Sequence, residues 1–449
     1  MQIPDYLKQG DAARLFPVLA VTSKEGRTTS ILLACLSRID EFAQVMMTSV
    51  GQTIGVRGRI ECWTEIVLAG DDAKGDRPDG LIVVRKGKSE YRILVEAKVG
   101  KADLAVDQVE RYRKLAKETG IDAVLTISNQ FATGPQLHPL PEVRKKAGPV
   151  PVFHWSWMYI LTQADLLRGA DGVADADQAV LLDELLRFLS HESAGVRGFD
   201  RMPPDWTELN RLISAGGSVP TRSPEAVAVV DAWHQETRDL ALILSRQTGT
   251  AVRERLPRAI ASDPAARQKA QFADLRETQC LRASFDIPDA AGPMDVVVDL
   301  RGRVVEVGMT VRAPEDRVSS KARLNWLLRQ ISVETSNDYH VRCTWPGKSA
   351  TTQHPLAILR ASPDRVQEGK DSQQVTRFHV LASHRLGARF GQVGNFITDL
   401  ERVVPAFYRE IDQTLTPWRR PAPQVRPDRP TAEDVEVEAL GEELQRSVG

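Results

Sequence analysis

The spacing of apolar residues predicts an α/β arrangement in the first half of the chain. Apolar side chains at helical spacing predict helices over residues 28–48 and 102–118, and Gly120 is a suitable end for the second of these. A leucine-rich helix is predicted over 176–190. Short apolar runs separated by polar turns predict strands. These runs cover 60–68, 80–84, 91–98, 122–128 and 150–155. The resulting order is helix, three strands, helix and strand, which is typical of an α/β fold.

The second half has a less regular pattern that predicts a mixed α+β domain. Ser223 and Pro224 open a long helix to about residue 247, with the serine as cap and the proline in the first turn. The other predicted elements are helices near 264–277, 319–331 and 392–415 and extended segments at 294–299, 303–311, 338–345, 356–360 and 376–382.

Changes in composition suggest where the domains meet. Pro, Gly and Ser are frequent between residues 203 and 224, and from Pro417 the chain is rich in Pro and Arg and then acidic. We therefore predict an N-terminal domain over 1–200, a linker over 201–224, a C-terminal domain over 225–416 and a flexible tail over 417–449.

Charge and cysteine content narrow the functional classes. The formal net charge is −1, so a contact with nucleic acid must come from local basic patches and not from a general positive charge. The four cysteines are scattered, and the sequence shows neither a signal-peptide pattern nor a long apolar run. We therefore predict a cytoplasmic protein without a membrane segment. The dispersed histidines lack zinc-site spacing, and neither a phosphate-binding loop nor a nucleophilic-serine motif occurs.

One short segment combines residues suited to phosphodiester hydrolysis. Pro78-Asp79 precedes one predicted strand, and Glu96-Ala97-Lys98 ends the next. If these strands pair as a hairpin, the Asp79 and Glu96 carboxylates lie at one end of the sheet, and Lys98 faces the same side as Glu96. Hard oxygen ligands of this kind bind Mg²⁺, and a lysine can hold the attacking water or the phosphate charge. Taken singly, Asp79 is better explained as an ordinary turn residue between a proline and a glycine, and Glu96 and Lys98 as a surface pair at a strand end.

The following predicted helix adds a further candidate. Gln108 lies four residues after Leu104 and four before Tyr112, which places it on the inward side of the helix near the sheet edge. A solvated helix residue is the alternative interpretation.

Together, these residues resemble the PD-(D/E)XK nuclease superfamily over roughly residues 20–160. The resemblance implies a restriction-endonuclease-like αβββαβ core, with Asp79 and Glu96 binding Mg²⁺ or Mn²⁺, Lys98 assisting the water and Gln108 completing the site. Many members also supply an acid from the first helix region. For this position Glu25 and Glu65 are the main candidates, and Glu41 is a weaker third.

The second half offers one basic segment. Arg312, Arg317, Lys321 and Arg323 surround a predicted helix that also carries Trp326. Such a segment can contact a phosphate backbone. In the alternative interpretation, Trp326 belongs to the core and the charges form a solvated face.

The function predicted from the sequence is a metal-dependent nuclease, with DNA favoured as the substrate. Its architecture resembles bacterial restriction, repair and defence effectors, and its C-terminal domain would bind nucleic acid, a partner protein or a second copy of the chain. The alternative is a non-catalytic nucleic-acid-binding or assembly protein that retains a nuclease fold.

Overall fold

The structure is a computed structural model that describes residues 5–15, 24–55, 58–68, 77–146, 148–332, 338–370, 372–420 and 422. Within these residues the chain is a mixed α/β protein with thirteen α-helices and two sheets. No helix in the described ranges combines the length and the apolar character that crossing a bilayer requires.

The first sheet has six strands in sequence order. The elements of this half are β1 (Leu7–Ala12), α1 (Lys24–Leu36), α2 (Asp40–Ser49), β2 (Arg59–Leu68), β3 (Gly80–Lys86), β4 (Ser89–Ala97), α3 (Val106–Thr119), β5 (Ala123–Ser128), α4 (Pro141–Lys145), β6 (Val152–Ser156), α5 (Trp157–Gly169) and α6 (Ala176–Leu189). Strands β1 to β4 are antiparallel, whereas β4, β5 and β6 run parallel to one another. The carboxyl ends of β4 and β5 therefore meet at one edge of the sheet.

Both faces of this sheet are buried, which explains the continuous apolar run of β3. Ile82 and Val84 pack into a core with residues of α1, α2, α5 and α6, whereas Leu81 and Val83 face a smaller core with residues of α3. Successive strand residues point to opposite faces, so a strand covered on both sides has no polar alternation.

The helix predicted over 28–48 is in fact two helices. Helix α1 ends at Leu36, and α2 begins at Asp40. Ile39 between them has extended backbone angles and is buried, so its side chain joins the core while the chain turns. The apolar spacing continues across this turn, which is why the sequence pattern did not show the break.

The second sheet has seven antiparallel strands in the order β12-β11-β13-β10-β9-β8-β7. The elements of this half are α7 (Asp205–Ser214), α8 (Pro224–Thr248), β7 (Arg253–Glu254), α9 (Arg258–Ala261), α10 (Pro264–Thr278), β8 (Cys280–Asp286), β9 (Met294–Asp299), β10 (Val304–Arg312), α11 (Ser320–Leu328), β11 (Tyr339–Thr344), β12 (Thr352–Pro355), α12 (Leu356–Ala361), β13 (Arg377–Arg385) and α13 (Val393–Glu410). Alternate residues of its strands enter a third core, as Val305 and Val307 of β10 illustrate.

Two predictions for this half need correction. The extended segment predicted at 356–360 is helix α12, which buries Leu356 and Leu359. The helix has only six residues, which is too short for its apolar spacing to be recognised in the sequence. The linker predicted over 201–224 contains α7, whose Trp206 is buried and donates a hydrogen bond from Nε1 to the Phe390 carbonyl at 2.8 Å. This part of the segment therefore belongs to the packed structure of the second half.

The remaining predictions of domain organisation stay open. The two halves contact each other through α5 and α8, where Arg246 donates a hydrogen bond to Thr162 Oγ1 at 2.6 Å. The predicted tail lies outside the described residues except for 417–420 and 422.

Candidate active site

The candidate residues meet at the carboxyl end of β4. Gly80 is paired with Val95 in the β3–β4 ladder, so Asp79, one residue before Gly80, lies opposite Glu96. The Ala97 N–H donates a hydrogen bond to Asp79 Oδ2 at 2.8 Å, which fixes the first carboxylate against the backbone of the second strand.

Glu96 is the buried centre of the cluster. The residue is only 1% exposed, yet its Oε1 atom lies 2.6 Å from Lys98 Nζ and accepts a hydrogen bond from Gln108 Nε2 at 2.7 Å. Lys98 Nζ also lies 3.1 Å from Glu25 Oε1 at the start of α1. The structure thus brings together five of the six residues that the sequence proposed, from four separate segments.

Neighbouring groups hold this cluster in place. The Lys98 N–H donates to the Ile127 carbonyl at 2.7 Å, and Trp157 Nε1 donates to the Lys98 carbonyl at 2.8 Å. Tyr112 Oη donates to the Arg77 carbonyl at 3.2 Å, which ties α3 to the chain just before Asp79. Trp157 had no signal in the sequence, whereas the i to i+4 spacing from Gln108 pointed to Tyr112.

Burial and mutual repulsion raise the pKa values of the acidic groups. Burial, followed by the Glu96 charge, raises the pKa of Asp79 to about 8. Burial also raises the pKa of Glu96, although the Lys98 ammonium opposes this shift. For Lys98, burial lowers the pKa, but the Glu96 and Glu25 carboxylates outweigh it and the net shift is upward. The site therefore holds closely spaced acids beside the Lys98 ammonium group, and burial and the Glu96 charge favour the protonated form of Asp79.

Of the three candidates for the additional acid, only Glu25 contacts the cluster. Glu65 is exposed and lies 3.7 Å from Arg77, at a left-handed backbone position (φ 51°) in β2. Glu41 accepts a hydrogen bond from the Ala174 N–H at 3.1 Å, away from β4. Their described contacts do not reach Asp79, Glu96 or Lys98, so the geometry favours Glu25.

The donor set suits a hydrated divalent cation better than a fully protein-bound one. In the ranges that the structure describes, no group of three or more His, Cys, Asp or Glu side chains could hold a metal ion. Mg²⁺ commonly takes only one or two protein carboxylates and keeps several waters. Asp79 and Glu96 supply two carboxylates. The Glu96 charge contributes to the raised pKa of Asp79, and a divalent cation bound between the two groups would reduce this repulsion.

The basic segment of the second half is largely engaged with other protein groups. Arg312 pairs with Glu315, Lys321 Nζ lies 2.9 Å from Asp364 and Arg317 Nε lies 4.0 Å from Asp316. The fourth basic residue of this segment, Arg323, is buried.

Arg323 is 8% exposed and cannot face a ligand as predicted. Its guanidinium donates hydrogen bonds to the Arg317 carbonyl at 3.0 Å, the Val375 carbonyl at 2.7 Å and Gln374 Oε1 at 2.8 Å. The prediction for this residue is therefore corrected, because α11 directs it inward to satisfy carbonyl groups that would otherwise be buried without donors.

We expect Arg323→Ala to lower the free energy of unfolding by about 3 kcal/mol, because it leaves buried acceptors unsatisfied. Lys321→Ala is the matched control on the same helix, and its exposed ion pair should contribute less than about 1 kcal/mol. Urea denaturation of both variants measures the difference. Equal, small effects would show that the Arg323 hydrogen bonds do not stabilise the fold.

Comparison of the chain with protein-family models, with curated proteins and with solved structures found no match. The functional assignment therefore depends on the chemistry of the cluster at the end of β4.

Proposed function

We propose that the chain is a divalent-cation-dependent nuclease that hydrolyses phosphodiester bonds, with DNA as the favoured substrate and Mg²⁺ or Mn²⁺ as the cofactor. The observation that carries this proposal is the placement of Lys98 Nζ 2.6 Å from the buried Glu96 carboxylate, opposite Asp79 on the neighbouring strand. Ionisable groups are costly to bury even in part, and a chain that needs only a stable strand end gains nothing from grouping three of them there.

Each side chain has a role that follows from its contacts. Asp79, held by the Ala97 N–H, and Glu96, held by Gln108, would bind the cation. A bound divalent cation polarises the phosphate and lowers the pKa of a water. Lys98 would hold the attacking water or the charge that develops on the phosphate, and Glu25 would keep its ammonium group protonated and directed into the site.

We further propose that the N-terminal half has a restriction-endonuclease-like core. The order α1, α2, β2, β3, β4, α3 and β5 supports this proposal, because it contains the three antiparallel strands, the crossover helix and the parallel strand of an αβββαβ unit. The additional strands β1 and β6 extend the sheet at its two edges.

The direct test is cleavage of supercoiled DNA, linear DNA, single-stranded DNA and RNA by the full chain, with Mg²⁺, with Mn²⁺ and with a chelator. We expect cation-dependent cleavage that the chelator stops. Nucleic-acid binding without cleavage under every condition would instead support a non-catalytic protein that retains the fold. Cleavage unaffected by the chelator would exclude the proposed use of Asp79 and Glu96.

The raised pKa of Asp79 predicts a pH dependence. A proton on Asp79 competes with the cation, so Mg²⁺ affinity should rise by up to about tenfold per pH unit between pH 6 and 8 and then level off. Because the pKa in the folded state is above the unfolded value, this group's contribution to stability without cation is greatest at acidic pH and is lost as pH rises towards 8. Calorimetric Mg²⁺ titrations across this range measure the effect, and Asp79→Asn should remove the competing proton. A flat profile in the native protein would contradict the assignment.

A further inference from the structure

A cavity lies where the two halves of the chain meet. It has a volume of about 410 Å³, larger than a bare phosphate ion needs and within the size range of small-molecule sites. Helices α5 and α8 face it with residues spaced by helical turns. These residues are Tyr159, Gln163 and Leu166 from α5 and Arg238, Leu242 and Ser245 from α8.

The cavity lining includes two arginines that form no ion pair within the described residues. Arg238 contacts the Tyr159 ring, with its Cζ atom 5.8 Å from the ring centroid, and no described carboxylate or hydrogen-bond acceptor pairs with its side chain. Arg253 of β7 also lines the cavity, and it too has no ion pair within the described part of the chain. Burial lowers the pKa of Arg238, and the Arg253 charge acts in the same direction, although Tyr159 and the Glu254 and Asp239 carboxylates oppose the shift.

The acid that lines the cavity is partly engaged by another arginine. Glu254, the only carboxylate in the described cavity lining, pairs with Arg267 through Oε1, whereas its buried Oε2 atom has no hydrogen-bond partner among the described residues. The one carboxylate of the described lining shares its charge between Arg267 and the lining arginines, so positive charge is in excess there and an anion from outside would balance it. Two arginine side chains match phosphate, since each presents a planar fork of donors.

We propose that this cavity binds a phosphate ester of about the size of a nucleoside monophosphate, with Arg238 and Arg253 holding the phosphate. Tyr159 and Leu242 provide an apolar surface for the rest of the ligand. The Gln163 amide can donate hydrogen bonds to polar groups of the ligand and accept hydrogen bonds from them. The site is separate from the cluster at the end of β4, and the proposal does not depend on nuclease activity.

The test is calorimetric titration of the full chain with AMP, GMP, adenosine and inorganic phosphate at constant ionic strength. We expect at least one nucleotide to bind with a Kd below about 1 mM, more tightly than phosphate, and adenosine to bind more weakly than AMP. Absence of nucleotide binding, or equal affinity for adenosine and AMP, would overturn the proposal.

Variants locate the binding. Arg238→Gln and Arg253→Gln should each weaken nucleotide affinity at least about tenfold, because each removes a charged hydrogen-bond donor. Arg258→Gln is the matched control, since Arg258 is exposed on α9 and does not line the cavity. Arg253 is exposed on a two-residue strand, so its substitution tests the site even if Arg238→Gln fails to fold. Nucleotide affinity unchanged in Arg253→Gln and in a folded Arg238→Gln would overturn the assignment, as would an equal loss in the control.

Discussion

Glu96→Gln should reduce nucleic-acid cleavage at least about a hundredfold while the protein remains folded. The substitution keeps the size of the side chain and an oxygen that can accept from Gln108, but it removes the charge that pairs with Lys98 and that the proposed cation would need. Because burial already raises the pKa of Glu96, losing this charge should cost little stability. Single-turnover cleavage rates measure the loss of activity, and circular dichroism with a thermal melt verifies folding.

Glu65→Gln is the control for this experiment. It makes the same chemical change at an exposed carboxylate whose described charged partner is Arg77, 3.7 Å away. We expect cleavage close to that of the native chain. If Glu96→Gln cleaved at the native rate, or if Glu65→Gln lost as much activity, the proposed site would be wrong. Asp79→Asn should resemble Glu96→Gln, since an asparagine oxygen can still accept from the Ala97 N–H.

The grouping of Asp79, Glu96 and Lys98 at one sheet edge could be predicted from the sequence more readily than the elements around it, for a physical reason. Asp79, Glu96 and Lys98 lie at strand ends, where the two-residue period and hairpin pairing determine both the face and the edge on which a side chain lies. Gln108 could be added because a helix that follows the strand returns across the sheet. The third acid could not be chosen, because Glu25 and Glu65 differ only in long-range contacts.

Elements outside this unit were harder to predict. Helix α7 lies in a segment rich in Pro, Gly and Ser, and its tendency to form depends on burying Trp206 against α13 and the Phe390 segment, far along the chain. The same limit applies to Arg323. Its neighbours in sequence suggest a basic surface, whereas its hydrogen-bond acceptors at residues 374 and 375 come from a distant segment.

Lys98→Met should separate catalysis from cation binding. Activity should fall about a hundredfold, since the ammonium group that we propose to face the reacting phosphate would be gone. Affinity for Mg²⁺ should be unchanged or higher, because Lys98 Nζ lies 2.6 Å from Glu96 Oε1 and its positive charge opposes a second cation there. Cleavage rates and calorimetric titration with Mg²⁺ measure the two effects. Lys101→Met, at an exposed lysine three residues away, is the control and should change neither.

The free energy of unfolding of Lys98→Met tests the pairing of Lys98 with Glu96 independently of activity. Without its lysine, the buried Glu96 carboxylate has no cation beside it, and we expect a loss of about 2 kcal/mol in the absence of metal. This loss is smaller than for a fully buried pair because the Lys98 side chain is 17% exposed. Saturating Mg²⁺ should restore most of the lost stability, since a cation that binds only the folded state stabilises it. Equal losses of activity and Mg²⁺ affinity, with no recovery of Tm in Mg²⁺, would mean that Lys98 only supports the strand end.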